Sequence, residues 1–158
     1  MMATNIKRRL FLQQSVLTGL TGNAVAIGLL RPRVVFAAWD QNAFDSRTVS
    51  EGIKNGLGAA SAALSEQILI EAPDIAADGA TVRVVVEAKL AEVQSIALLA
   101  EKNPRPLCYI FHPGAGVRPK MTARIKMGES GDVVAVVKGG GKLYMARRNV
   151  TVTAGGCA

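Results

Sequence analysis

From Glu66 to Val152 the apolar residues return at every second position, and this period-two pattern commits the chain to an architecture built of strands. Ile68 and Ile70 open it. In 81–88, Val82, Val84 and Val86 alternate with Arg83 and Glu87, while Val85 breaks the polar face. Residues 96–100 form an apolar run, and Leu107, Tyr109 and Phe111 alternate after Asn103-Pro104-Arg105-Pro106, which forces a turn. Ala123, Ile125 and Met127 alternate with Thr122, Arg124 and Lys126, and 133–137 is apolar on both faces. Gly139-Gly140-Gly141 reads as a hairpin connection into 143–145, and Val150 and Val152 continue the last strand. The pattern predicts about seven short strands separated by turns, an all-β fold of the immunoglobulin-like antiparallel β-sandwich type.

A helix is expected just upstream. Thr48-Val49-Ser50-Glu51 reads as a capping box, in which the hydroxyl and the carboxylate satisfy each other's backbone donors. Val49, Ile53, Leu57, Ala60 and Leu64 then repeat at helical spacing, which extends the predicted helix to Leu64. Gly56 and Gly58 weaken it, so its survival requires packing on something larger.

The N-terminus reads as an address. Lys7-Arg8-Arg9-Leu10-Phe11-Leu12-Gln13 carries the arginine pair and the following Phe-Leu of a twin-arginine export signal, with Lys7 where Ser or Thr is usual and Gln13 where Lys is usual. A weakly apolar stretch, 15–30, leads to Arg31-Pro32-Arg33 and then to Val35-Phe36-Ala37, where cleavage is expected after Ala37. The expected organisation is a signal peptide over 1–37, a helical segment over 38–65, the β-sandwich over 66–153 and a flexible C-terminal arm over 154–158. The destination is the periplasm, with no membrane insertion after cleavage; the twin-arginine route exports folded proteins, so a bound partner can travel along.

Locating the charge removes the case for nucleic acid. The formal net charge is +7, but five of the 19 basic side chains lie in the first 37 residues, which hold no acid. The remainder sets 14 basic against 12 acidic side chains, with no basic stripe interleaved with aromatics. His112 is the only histidine, so a Ser-His-Asp arrangement or a histidine-rich metal site is hard to build. His112-Pro113-Gly114 reads instead as a strand ending in a turn. Gly141-Lys142 lacks the Ser or Thr, and the strand–loop–helix context, of a phosphate loop. Asp74 and Asp78 flank a turn without a partner acid for general acid–base chemistry. No cofactor is expected.

The two cysteines differ in setting. Cys108 lies in the strand-like run Leu107-Cys108-Tyr109-Ile110-Phe111 and reads as a small buried hydrophobe. Cys157 is the penultimate residue, preceded by Gly155-Gly156 and followed by Ala158. Two glycines after a strand form a hinge. From Thr153 to Cys157 the extended chain reaches at most about 17 Å, enough to place a thiol inside another protein's cleft. The flanking residues supply no cation, histidine or helix N-terminus to activate the thiol. Cys157 therefore reads as a passive attachment point, activated by the enzymes it visits. Three other readings compete: a disulfide with Cys108, a cross-link between two chains, and a disordered tail with no role, which fits poorly because a free thiol in the periplasm is a liability.

These residues together resemble the SoxY family, the cysteine-bearing subunit of the SoxYZ carrier of bacterial thiosulfate oxidation. The resemblance covers essentially the whole mature chain. It is carried by Trp39 with Ala43-Phe44, by Ala72-Pro73-Asp74-Ile75-Ala76 leading to Gly79-Ala80 and Val82, by Asn103-Pro104 with Pro106-Leu107, and by Arg124-Ile125-Lys126-Met127. Its most specific part is Val152-Thr153-Ala154-Gly155-Gly156-Cys157. The resemblance implies a heterodimer with a SoxZ-like subunit that lacks a signal and is exported with its partner. It implies that the c-type haem enzyme SoxAX joins thiosulfate oxidatively to Cys157, that the manganese hydrolase SoxB releases sulfate, and that in some organisms SoxCD oxidises the remaining sulfane sulfur. Gly155 and Gly156 would let the arm enter each active site. The family usually ends Gly-Gly-Cys-Gly-Gly, whereas Ala158 follows the cysteine here; Ala77, and Arg83 where proline is expected, are smaller departures. The expected function is that of a periplasmic sulfur carrier, not an enzyme. The rivals are a periplasmic interaction module with a cross-linking cysteine and a sulfurtransferase using Cys157 as nucleophile.

Overall fold

The computed structural model describes residues 40–59 and 61–154, all of which belong to the compact unit Trp39–Ala158. The twin-arginine segment, Trp39, Ala60 and the Gly155-Gly156-Cys157 end lie outside the described residues. Two short helices come first, α1 (Gln41–Phe44) and α2 (Val49–Leu57). Nine strands follow among the described residues: β1 (Ala63–Leu64), β2 (Ile68–Glu71), β3 (Ile75–Ala76), β4 (Val82–Ala88), β5 (Val93–Ala100), β6 (Leu107–Phe111), β7 (Lys120–Ile125), β8 (Gly131–Gly139) and β9 (Lys142–Val152).

The strands form an immunoglobulin-like β-sandwich of two sheets. One, six-stranded, runs β1-β9-β8-β5-β6 with β3 also paired to β9; the other, three-stranded, runs β2-β4-β7. The period-two pattern sets the contact between them. Val82, Val84 and Val86 of β4 face Ile96, Leu98 and Ala100 of β5 and Val133, Ala135 and Val137 of β8, all essentially without solvent contact. The opposite face of the six-stranded sheet is covered by the helices, where Ala43, Ile53 and Leu57 bury Ala97, Leu99, Val134 and Val136. This second core explains why β5 and β8 are apolar on both faces: they are the middle layer of three. Val85, the residue that interrupts the polar face of β4, points outward yet is only 5% exposed.

Helix α2 begins as its sequence dictates, with the Thr48 hydroxyl accepting from the Glu51 amide at 3.2 Å. The reciprocal half of the expected box is displaced by one residue, because Glu51 Oε2 accepts from the Arg47 amide rather than from that of Thr48. The helix is also shorter than its apolar spacing suggested. It stops at Leu57, where Gly58 takes a left-handed conformation (φ 85°), and Leu64 lies in β1, 77% exposed and paired in parallel with β9. Gly56 has a separate reason: a Cβ there would lie 2.9 Å from Ile110 Cδ1, so its absence lets the helix sit close on the sheet.

The turn that joins β8 to β9 is a two-residue loop with positive φ at both Gly140 (56°) and Gly141 (76°), the combination a tight hairpin needs to match strand twist. Two strands exceed the sequence expectation, β1 and β3, each only two residues long. Both run parallel to β9 and cover its outer edge. Met127, expected to end a strand, falls just beyond β7 but is 1% exposed in the core.

Candidate functional site

The end of β9 is the root of the C-terminal arm. The chain is clamped there by a set of short contacts from three neighbouring segments. Ser130 Oγ accepts from the Val152 amide at 2.8 Å. The Thr153 amide donates to the Ala76 carbonyl at 3.0 Å, and the Thr153 hydroxyl donates to the Ala77 carbonyl at 3.0 Å. Last, the Ala154 carbonyl accepts from the Gly79 amide at 2.8 Å, and the Gly79 carbonyl in turn accepts from the Met127 amide at 2.8 Å. Backbone groups held on both sides resist displacement, so the chain is fixed through Ala154. From Ala154 to Cys157 there are three residues, which span at most about 11 Å. The reach of the thiol is therefore shorter than a count from Thr153 suggests.

Cys108 occupies a different environment. It is the extra residue of a β-bulge in β6, between Tyr109 opposite Leu98 and Leu107 opposite Leu99. Its side chain is half-buried against the main core and its thiol donates to the Pro106 carbonyl at 3.4 Å. Burial pushes this thiol up to about 11, the hydrogen bond to Ala100 offsetting part of the rise. At neutral pH it is protonated and a poor nucleophile. The sequence reading of Cys108 as a small buried residue matches this setting.

The sheet register also separates Cys108 from the arm. Leu98 and Leu99 pair with Ala135 and Val134, which pair with Ala146 and Arg147, so Cys108 is level with 146–147 on β9. Three strand spacings across and seven to eight residues along place Ala154 on the order of 25 Å or more from it. A disulfide needs Cα atoms within about 7 Å, and three residues of chain do not close that gap. Cys108 and Cys157 of one chain are thus too far apart to pair while the fold is intact.

The remaining sequence candidates are structural. His112 is exposed, with Nδ1 3.3 Å from the Gln94 carbonyl. Asp74 is ion-paired with Arg148 at 2.9 Å, and Asp78 Oδ1 accepts from the Ala80 amide at 2.7 Å. Among the described residues no group of three His, Cys, Asp or Glu side chains could hold a metal ion. The clamping role of Ser130, Ala76, Ala77 and Gly79 was not legible in the sequence, although Ala76, Ala77 and Gly79 fall within or beside a family motif. Their role depends on which loops end beside β9, and only the register reveals that.

A β-sandwich backed by helices, whose longest strand leads into the segment that bears Cys157, is the architecture in which the site sits. A family model and a solved structure identify the family. The profile described as "Sulfur oxidation protein SoxY" matches residues 53–157, through the arm cysteine. Among solved structures, the sulfur carrier protein SoxY from Chlorobium limicola f thiosulfatophilum superposes with a TM-score of 0.62 at 31% identity, covering 73% of this chain and 100% of that one. The chain belongs to the SoxY family. Two structures of a superoxide reductase (neelaredoxin) from Ignicoccus hospitalis align at TM-scores of 0.48 and 0.49 with 21% and 20% identity, over 54% and 55% of this chain and 79% and 80% of theirs. A search of curated proteins finds no match.

Proposed function

We propose that this protein is a periplasmic carrier of sulfur intermediates in thiosulfate oxidation, with Cys157 as the covalent attachment site and Gly155 and Gly156 as the swivel. The observation that carries the reading is the clamp at the root of the arm. Hydrogen bonds to Ser130, Ala76, Ala77 and Gly79 fix the chain through Ala154, and the family match runs on to Cys157. A rigid base followed by two glycines delivers a thiol to a defined place while leaving it free to rotate. Export by the twin-arginine route, with cleavage after Ala37 and a SoxZ-like subunit carried along, belongs to the same reading. So does sequential service to SoxAX, SoxB and, where present, SoxCD.

The chemistry divides between carrier and enzymes. No histidine or cation flanks Cys157 in the sequence to lower its pKa. Its conversion to a thiosulfonate is an oxidation, in which a thiol sulfur bonds to the sulfane sulfur of thiosulfate with loss of two electrons and one proton. Those electrons leave through the haem of the loading enzyme. The carrier contributes a tethered nucleophile at high local concentration in each active site. The protonated thiol of Cys108 is no rival for the adduct.

Replacing Cys157 tests this directly. In cells oxidising thiosulfate, Cys157→Ser should abolish pathway turnover while Cys108→Ser retains it. Equal retention by both variants would overturn the carrier reading in favour of a module whose cysteine only cross-links.

A further inference from the structure

The outer face of the three-stranded sheet carries two arginines directly opposite each other, Arg83 of β4 and Arg124 of β7. Like charges so placed are destabilising, and neither guanidinium has an acidic partner among the described residues. Four residues along the same strands, beyond the Val85–Thr122 pair, the charges are complementary: Lys120 Nζ lies 3.0 Å from Glu87 Oε2, and that hydrogen bond holds the Glu87 carboxyl below its ordinary value. Among the described residues, Lys89 and Arg118 stand without an ion pair beside Glu87 at the far end of the sheet, and Arg83 and Arg124 stand without one at the end toward Gly79.

That end is the root of the arm. Lys126 follows Arg124 by two residues, is exposed, and borders a groove of about 340 Å³ with Arg47, Arg105, Asn103 and Pro104. Arg105 is ion-paired with Asp45 at 3.3 Å, whereas Arg47 and Lys126 have no acidic partner among the described residues. From Lys126 the next residue, Met127, donates to Gly79, and Gly79 donates to Ala154. Four cations without an ion pair among the described residues, Arg47, Arg83, Arg124 and Lys126, therefore lie toward the end of the sandwich from which the arm leaves. Asp78 and Glu129 stand on loops at the same end, and the balance stays positive.

Protection of an open sheet edge by charge accounts for Lys120 and Arg124 on the edge strand β7. It does not account for Arg83, which is on the central strand β4, or for Arg47 in front of helix α2. The short reach supplies the alternative. With about 11 Å of chain beyond Ala154, any active site that receives Cys157 must bring its mouth against this end of the sandwich.

We propose that Arg83, Arg124, Lys126 and Arg47 form the docking surface for the acidic rim of the protein that receives the arm. This rests on the carrier reading above. The cations steer the encounter and set the orientation in which the arm enters, so they act on association rather than on the chemical step.

The test uses the mature protein with its SoxZ-like subunit and the thiosulfate-loading haem enzyme of the same organism. Loading is followed by intact mass and by cytochrome reduction. The triple variant Arg83→Gln, Arg124→Gln, Lys126→Gln is compared with Lys89→Gln, Arg118→Gln, Lys142→Gln, which removes the same charge from the far end of the sandwich. Arg47 is left in place so that the variant and its control remove the same number of charges. The first variant should raise KM about tenfold or more with kcat within twofold, and should flatten the rise of KM with salt that the wild type shows. The second should stay within twofold of wild type. Equal rises in both variants, or no change in the first, would overturn the docking assignment while leaving the carrier intact. A wild-type protein that is not loaded at all would overturn the carrier reading and this assignment with it.

Discussion

At the scale of the residue, the two cysteines are distinguished by solvent and by reach. Cys108 donates to the Pro106 carbonyl inside a bulge, and burial raises its pKa to about 11 from an ordinary thiol value of 9.0. The raised value means that the folded protein holds the proton more tightly than the unfolded chain. Thiolate at this site is scarce below pH 9 and grows only as pH climbs toward 11. Alkylation of the reduced mature protein at pH 8 should therefore modify Cys157 rapidly and Cys108 at least tenfold more slowly, with peptide mapping as the readout. Comparable rates at the two sites would contradict the burial argument. The sequence revealed the protected character of Cys108, because alternation around it pointed to a strand. The bulge that seats it was not legible, since it arises from the mismatch between β5 and β6.

Elements show a different balance between local code and context. Thr48 acts through its own hydroxyl, and the sequence placed the start of α2 correctly. Thr48→Ala should cost about 1 kcal/mol, read as a shift in urea midpoint at unchanged slope. The helix's end was misjudged because Ala60 and Leu64 happen to continue its spacing, whereas the left-handed Gly58 closes it and Leu64 joins the edge of β9. The apolar stretch 133–137 could be recognised as buried on both faces but not assigned its covers, since those depend on the helices reaching that side of the sheet. Leu99, with no solvent exposure beneath α2, tests the second core: Leu99→Ala should cost about 2–5 kcal/mol by the same measurement. A cost near zero would mean that the helical layer contributes little to the fold. β1 and β3 were invisible to a period count, being two residues long and defined only by their neighbour.

For the whole molecule, the layering fixes the place from which the C-terminal segment leaves the fold. Two cores hold the six-stranded sheet between helices and a second sheet, and β9 crosses that sheet from the hairpin at Gly140-Gly141 to the clamp at Ala154. Sequence alone suggested the arm, through glycines and a terminal cysteine in a chain with little other chemistry. It did not show where the arm is anchored or that unpaired cations gather there, because Arg83 and Arg124 meet only through strand pairing. The central claim is that Cys157 carries sulfur, and intact mass measures it most directly. Mature protein isolated from thiosulfate-grown cells should show reductant-labile additions matching sulfur or a thiosulfonate, mapped to Cys157. Unmodified Cys157 in every molecule, or a disulfide linking it to Cys108 or to a second chain, would contradict the account.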